Sequence, residues 1–158
     1  MEKLHLRKFG DDDLDLFETW VHEDYVAKWY EHPLSWIEEL QKREGEYCWI
    51  HHFIAVYGGI DFGFCQFYEY GKSGEEWHGS IEVKGTYSID YMIGKREFLG
   101  RGLGKAIAEE LIALIRREPG AERIIVQPEP DNAPSCGTLL AAGFEFDGEN
   151  QLYLYQLA

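Results

Sequence analysis

The sequence predicts an α+β fold, a mixed and mostly antiparallel sheet flanked by helices, on three observations. Two aromatic and β-branched runs, residues 47–57 and 60–70, are separated by Gly58-Gly59, a pattern typical of a β-hairpin. Apolar residues recur at helical spacing over residues 102–118. A strand-like run, residues 123–127, follows that helix, so the helix is expected to cross over the sheet.

The N-terminal part of the chain predicts one strand and three helices. Residues 3–9 alternate apolar and polar side chains, as a half-buried strand does. The run Asp11 to Asp13 offers N-caps for a first helix that carries Leu14, Leu16, Phe17 and Trp20. A second helix is expected around residues 25–30 and a third after Pro33, which suits the first helical position.

The remaining elements follow the hairpin. Residues 71–85 are polar and glycine-bearing, so we expect a surface loop, and residues 86–93 form the next strand. Asn132 with Pro134 opens a helix that reaches residue 142. Two closing strands are expected at residues 143–146 and 151–157.

The composition limits the classes of protein to which the chain could belong. The 158 residues are 45% hydrophobic and 15% aromatic, and we expect one domain over residues 1–158. The apolar stretches fall short of the roughly 20 residues that a membrane helix needs, and no signal-peptide core is evident. Three scattered cysteines (Cys48, Cys65, Cys136) favour reduced thiols in a cytoplasmic protein. Monomer and homodimer both remain open.

The formal charge of −14 disfavours nucleic acid and anionic membranes as partners. It is compatible with a cationic substrate, although acidic surfaces also serve solubility alone. The six histidines lack the spacing of a metal motif, so no metal is expected.

A glycine loop between a strand and a helix, residues 98–105, predicts an anion site. Glycines at alternate positions allow tight turns and leave main-chain N–H groups unobstructed, and the following helix adds the positive end of its dipole. Four basic residues cluster there: Lys95, Arg96, Arg101 and Lys105. The alternative is a glycine-rich turn with solvated charges. The loop matches neither the Walker motif nor the dinucleotide fingerprint, which disfavours nucleoside triphosphates and NAD.

Two motifs resemble the GNAT superfamily of N-acetyltransferases. The segment Leu99-Gly100-Arg101-Gly102-Leu103-Gly104 is similar to its Q/R-x-x-G-x-G/A loop, with Leu99 in the first position. Asn132, Gly143 and Phe144 match its N-x-x-A…G-F signature, with Ser135 where alanine is common. The resemblance implies acetyl-CoA as co-substrate. It places the following residues at the cofactor: Met92, Ile93, Leu99, Gly100, Arg101, Gly102, Leu103, Gly104, Lys105, Asn132 and Ser135.

The acceptor side most resembles aminoglycoside 6′-N-acetyltransferases, over the segments GFCQFYEYGKSGEEWHG and SIDYMIGKREFLGRGLG. By this resemblance Gln66, Glu75 and Trp77 lie on the substrate side, and Asp90 is the proposed base. The siderophore-type acetyltransferases generally carry a histidine where Asp90 stands, which favours a primary amine on a polycationic acceptor. Two positions depart from the pattern: Leu139 replaces a helix tyrosine that acts as general acid, and Gln127 replaces an acidic residue.

The predicted function is acetyl transfer to a primary amine of a cationic small molecule, with an aminoglycoside, and hence antibiotic resistance, as the leading candidate. Alternatives are a polyamine, a siderophore precursor, an amino-acid side chain or a peptide amine. A non-catalytic coenzyme A-binding module is a further alternative because of Leu139. An ordinary aspartate, with a pKa of about 3.9, is a poor base, so Asp90 would need burial to raise its pKa, or would only orient the amine. It could equally be a strand carboxylate paired with solvent.

Two further sets of residues could have either a functional or an ordinary structural role. Trp29, Tyr30, Trp36 and Trp49 could line an acceptor cleft or belong to the core. Glu69, Glu75, Glu76 and Glu82 could form an acidic rim or belong to a solvated loop. A covalent role for Cys136 is disfavoured because no histidine base is evident beside it.

Overall fold

The computed structural model of the protein describes residues 3–30 and 32–157. Seven strands form one sheet in the order β1-β2-β3-β4-β5-β7-β6, and every pairing is antiparallel except that of β4 with β5. The strands are β1 Leu4–Lys8, β2 Ile50–Tyr57, β3 Ile60–Glu69, β4 Thr86–Ile93, β5 Arg123–Val126, β6 Glu145–Asp147 and β7 Leu152–Gln156. The helices are α1 Leu14–Val21, α2 Asp24–Ala27, α3 Pro33–Gln41, α4 Leu103–Arg116 and α5 Ala133–Ala141. The predicted α+β class is confirmed.

The hairpin of β2 and β3 forms where the glycine pair predicts it. Gly58 and Gly59 have φ angles of 58° and 78°, as a tight turn with two left-handed residues requires. The sequence places the start of β2 at residue 47, whereas the strand begins at Ile50. The correction has a local cause: the chain leaves α3 through a series of turns, in which the Tyr47 N–H donates to the Lys42 carbonyl at 3.1 Å.

Helices cover both faces of the sheet, so the protein has two main hydrophobic cores, one on each face. The long helix α4 packs against one face through Ile107, Leu111 and Ile115, which are fully buried. Helices α1 to α3 cover the other face around Phe17 and Phe64, whose rings meet edge to face at 4.8 Å. No helix among the described residues is long and apolar enough to cross a membrane.

Strand β4 contributes to both cores by simple alternation. Tyr87 and Ile89 belong to the core under α4, while Met92 belongs to the core under α1 to α3. Successive side chains of a strand point to opposite faces of the sheet, which explains this division.

The segment predicted as a surface loop, residues 71–85, carries its own apolar anchor. Trp77, Ile81 and Val83 pack against a small third core of Tyr70, Ile125 and Leu152. The rings of Trp77 and Tyr70 meet edge to face at 5.0 Å. The segment is therefore held against the sheet, and this fixes where its acidic residues lie.

The sheet opens between its two parallel strands. β4 and β5 pair only at Thr86 with Arg123 and at Tyr87 with Ile124, and then diverge. From Ser88 onward no strand of the described part of the chain pairs with the β5-side edge of β4. The candidate functional site lies at this opening.

Candidate active site

Two cavities meet at the opening between β4 and β5. The smaller, of about 190 Å³, is lined by Asp90 and by aromatic side chains from the turn after α2, from α3 and from β3. The larger, a groove of about 670 Å³, runs along β4 to the glycine loop and α5. Five residues line both: Trp29, Tyr30, Tyr91, Asn132 and Ser135. A molecule in the groove can therefore meet one in the small cavity.

Asp90 lies at the floor of the small cavity, where the side-chain amide of Gln66 on the neighbouring strand donates to its Oδ2 at 2.9 Å. Burial raises the pKa of Asp90 to about 7, and the bond from Gln66 opposes the shift by favouring the ionised form. The negative charges of Glu39, Glu75 and Glu129 raise the pKa further. Within the described ranges, no lysine, arginine or histidine forms an ion pair with Asp90.

The burial that Asp90 needs in order to act as a base is therefore present. A carboxyl with a pKa near 7 is divided between its two forms at neutral pH and accepts protons far better than an exposed aspartate. Because no described residue pairs with it as a cation, the same carboxylate is also suited to hold an ammonium group.

The other predicted substrate-side residues cluster around Asp90. Glu75 and Trp77 line the small cavity, and the Tyr68 hydroxyl donates to Glu75 Oε1 at 2.7 Å. Gln66 touches Asp90 but does not itself line the cavity. Its Oε1 is buried and, among the described residues, has no hydrogen-bond partner. Segments distant in sequence are thus brought together.

Tyr68 and Glu129 also belong to this wall, and the sequence analysis missed both. The place of Tyr68 could have been predicted from the sequence, because Tyr68 lies two residues after Gln66 on the same strand and so shares its face. Glu129 lies in the turn after β5 and lines the small cavity as an exposed carboxylate. Its place depends on how that turn folds back, which no local pattern reveals.

The glycine loop forms the far end of the groove. Gly100 and Gly102 have φ angles of 71° and 74°, which side chains with a Cβ rarely adopt. In the part of the chain that the structure describes, the main-chain N–H groups of residues 100–105 donate to no protein acceptor. Leu103, Gly104 and Lys105 follow as the first turn of α4 and line the groove with Leu99. Free N–H groups, a helix N-terminus and one lysine fit a diphosphate arm.

The basic residues near the loop differ in their placement. Lys105 lines the groove, but the Arg101 guanidinium lies over the rings of Phe98 and Tyr57, at 5.0 and 5.6 Å from their centroids. Arg96 lies over Tyr25 and reaches Glu23 at 3.4 Å. Arg101 therefore does not line the groove, and the predicted cofactor contact of this residue stays a prediction that only its main-chain N–H could fulfil.

The main chain of β4 offers further contacts along the groove. The carbonyls of Tyr91 and Ile93 accept from the hydroxyls of Tyr30 and Tyr25, at 2.8 and 2.9 Å, on the open side of the strand. The Met92 carbonyl instead faces β3, where a Cβ added at Gly63 would lie only 2.5 Å from it. Because N–H and C=O of one strand residue point to the same side, the open edge presents the N–H groups of Tyr91 and Ile93 rather than that of Met92.

Helix α5 closes the groove. Asn132 is buried and its Oδ1 accepts from the Ser135 N–H at 3.2 Å, so it caps the helix as expected. The Ser135 hydroxyl lies 3.3 Å from that of Tyr91. Cys136 lines a different cavity, and Leu139 is fully buried in the core under α4.

Of the aromatic residues considered for an acceptor cleft, Trp29, Tyr30 and Trp36 line the small cavity. Trp49 does not; its ring packs edge to face on Tyr68 at 5.8 Å. Among the glutamates proposed for an acidic rim, only Glu75 lines the cavity.

The sheet splits between its two parallel strands, and the N–H groups of the glycine loop beyond the split fit the binding of a long anionic molecule. A family model for the acetyltransferase (GNAT) domain matches residues 10–152. The chain therefore belongs to the GNAT acetyltransferases and is an acyltransferase. The family resemblance that the two sequence motifs predict is confirmed.

Individual relatives agree with this assignment. The chain is 24% identical over 153 residues to the aminoglycoside N(6′)-acetyltransferase type 1 of Klebsiella pneumoniae, which covers 93% of this chain and 76% of that protein. The crystal structure of the aminoglycoside acetyltransferase AAC(6′)-Ib with coenzyme A superposes with a TM-score of 0.83 at 22% identity, over 98% of this chain and 95% of that one. The same values hold for its complex with coenzyme A and kanamycin. At these identities the structural likeness shows the fold.

Proposed function

We propose that the protein transfers the acetyl group of acetyl-CoA to a primary amine of a cationic small molecule, with an aminoglycoside as the leading acceptor. The observation that carries the proposal is the Asp90 carboxyl, which has a raised pKa and, among the described residues, no cationic partner, and which lines a cavity that opens onto the groove. Structural neighbours with bound kanamycin and ribostamycin support the choice of acceptor.

Acetyl-CoA supplies the acetyl thioester. The N–H groups of residues 100–105 and Lys105 would hold its diphosphate, while the open edge of β4 at Tyr91 and Ile93 would meet its amide-bearing arm. An N–H group on that edge would also polarise the thioester carbonyl, because a preorganised donor stabilises developing negative charge. Asn132 and Ser135 complete the cofactor side.

Asp90 has two tasks in this proposal. As a carboxylate it holds the acceptor ammonium in the cavity. The ammonium first loses one proton to water and becomes a neutral amine, and Asp90 then takes the second proton, which the nitrogen loses on forming the new amide bond. Gln66 holds the Asp90 carboxyl in place, and Glu75 and Glu129 add negative charge for further ammonium groups. Trp77 and Trp36 form apolar walls.

A polyamine is the second candidate, and one observation favours it. Gln127 stands where the resemblance implies an acidic residue, and its amide donates to the Gln151 carbonyl at 2.9 Å. The wall therefore carries less charge there than an aminoglycoside site is expected to have. A narrow cavity of about 190 Å³ also suits a linear amine.

Two measurements test the proposal in sequence. Thermal shift with coenzyme A measures cofactor binding, and saturating coenzyme A should raise the melting temperature. Thiol release from acetyl-CoA is then measured with kanamycin, ribostamycin, spermidine and a lysine-containing peptide, and mass spectrometry locates the added acetyl group. Turnover with the antibiotics supports the leading acceptor, and turnover with spermidine alone supports the second. A thermal shift with coenzyme A, but no thiol release from acetyl-CoA with any amine, would support the alternative of a non-catalytic coenzyme A-binding module.

A further inference from the structure

The departing sulfur has no obvious hydrogen-bond donor in this protein. A thioester reaction leaves a thiolate, which must be stabilised and finally protonated. The family resemblance implies a tyrosine for this task at position 139, but Leu139 is fully buried among apolar side chains under α4. No hydroxyl can act from that position, so a donor must come from elsewhere if the protein turns over.

The position of the reacting thioester limits the search. The acetyl carrier in the groove and the amine at Asp90 can meet only where the two cavities join. That junction is lined by Trp29, Tyr30, Tyr91, Asn132 and Ser135. A donor to the sulfur is therefore sought among these five residues.

The polar groups at the junction differ in what they can donate. The Tyr30 hydroxyl donates to the Tyr91 carbonyl at 2.8 Å, whereas Asn132, whose Oδ1 accepts from the Ser135 N–H, keeps its amide N–H groups, and Trp29 has its ring N–H. The hydroxyls of Tyr91 and Ser135 lie 3.3 Å apart, with either able to donate. This is longer than the roughly 2.8 Å of a usual hydroxyl pair, and a hydroxyl hydrogen can rotate to another acceptor.

We infer that Tyr91 and Ser135 form a hydroxyl pair that stabilises the departing thiolate, with Ser135 donating to the sulfur and Tyr91 donating to Ser135. The inference rests on the proposed function. Ser135 thereby becomes the catalytic residue of the pair, since it contacts the reacting atom, and Tyr91 a positioning residue. Serine at this position, where the family motif commonly has alanine, supplies a hydroxyl on the first turn of α5.

The chemistry balances without a covalent enzyme intermediate. The acceptor ammonium first loses one proton to water, which frees the nitrogen lone pair to form the C–N bond. The C–S bond breaks with its electron pair passing to sulfur, and Asp90 takes the second proton from the nitrogen. The hydroxyl pair donates a hydrogen bond to the sulfur but transfers no proton to it. The sulfur takes its proton from water as Asp90 releases one to water. Burial raises the pKa of Tyr91 to about 12, so its hydroxyl stays protonated at neutral pH.

The thiol pKa of bound coenzyme A tests the pair without any acceptor. It is measured from the ultraviolet absorbance of the thiolate in the complexes of wild type, Ser135→Ala, Tyr91→Phe and the double variant. A donor to the thiolate lowers the thiol pKa, so Ser135→Ala should raise it by about one unit. Tyr91→Phe should raise it less. The double variant should match Ser135→Ala, because Tyr91 acts through Ser135.

Turnover gives the second readout. With the best amine of the panel, kcat should fall about tenfold to a hundredfold in Ser135→Ala, a much larger loss than the loss of affinity for coenzyme A. Ser135→Thr keeps a hydroxyl and should restore both the thiol pKa and kcat. Tyr153→Phe is the matched control, since Tyr153 contacts Cys136 on the same helix but lines a different cavity.

Equal thiol pKa values in wild type and Ser135→Ala would overturn the inference, whatever the turnover. Equal increases in Tyr153→Phe and Tyr91→Phe would also overturn it, because the effect would then be structural. If coenzyme A binds and no amine is acetylated, the proposed function fails while the thiol pKa still decides on the pair. If coenzyme A does not bind, both fail.

Discussion

The proposed cofactor side and the proposed acceptor side of this site are built in different ways. The cofactor side is mostly main chain: residues 100–105 lie together in sequence, and among the described residues their N–H groups have no protein acceptor. The acceptor side is mostly side chains, from β3, from the segment after it, from β4 and from the turn after β5. One is a contiguous loop, and the other exists only after the chain has folded.

This difference determines which substitutions impair each side. A main-chain site depends on φ and ψ angles and tolerates changes in most side chains, as Leu99 in place of a family glutamine or arginine illustrates. A side-chain site depends on individual groups, so the loss of one carboxylate removes a defined function. Substitutions on the two sides should therefore separate cofactor binding from turnover.

The largest effect is expected from Asp90→Asn. Asparagine keeps the size of the side chain but neither accepts a proton nor attracts an ammonium group, so kcat/KM should fall by roughly 10²- to 10³-fold. The Kd of coenzyme A, measured by calorimetry, should change less than twofold because Asp90 does not line the groove. Equal losses in kcat/KM and cofactor affinity would contradict an acceptor-side role.

A second test addresses the loop. Gly102→Ala places a Cβ at a φ of 74°, which costs about 1–2 kcal/mol, and should weaken coenzyme A binding by about tenfold. Gly120→Ala is its matched control, because Gly120 has a φ of 77° and the same open surroundings but lies far from the groove. It should lower the melting temperature and leave the Kd of coenzyme A unchanged. Similar Kd values for the two variants would argue against a main-chain phosphate site.

A smaller effect is expected from the acidic wall. Glu75→Gln removes a charge that lines the acceptor cavity and should raise the KM of the amine about threefold to tenfold, while kcat stays near that of wild type. Glu76→Gln removes the same charge from the exposed neighbour, which does not line the cavity. An equal change in KM for both variants would indicate long-range steering by net charge instead of local contact.

The smallest expected effect is on stability. The pKa of Asp90 is raised from its ordinary value of 3.8 to about 7, so the native state binds this proton more tightly than the unfolded chain. The stability from the buried neutral carboxyl is fully present at low pH and is lost as pH rises towards 7. Asp90→Asn should therefore melt a few degrees above wild type at pH 8, and this difference should shrink as pH falls to 5. A difference independent of pH would mean that Asp90 titrates normally.

Part of the site could be read from the sequence because its signals are local. The glycine spacing over residues 100–104 sets backbone angles directly, and the helix that follows adds its N-terminus. Asn132 could be recognised as a cap from its neighbours alone. Asp90 could be placed on a strand face by alternation, but the sequence left open whether its pKa would allow it to act as a base.

Tertiary structure decided what depends on contacts between distant residues. The pKa of Asp90 is raised because helices and strands exclude water from its surroundings, and burial has no local sequence signature. Arg101 was expected at the cofactor, yet its side chain stacks on Phe98 and Tyr57, because the loop geometry directs it away from the groove.

By itself the sequence determined the fold class, the glycine loop and the family, because each of these is encoded in short-range periodicity or in a contiguous motif. Only the tertiary structure decided which acidic residues share a cavity, and that the hydroxyls of Tyr91 and Ser135 lie side by side. The physical reason is that main-chain geometry is set by neighbours in sequence, whereas electrostatic environment is set by neighbours in space.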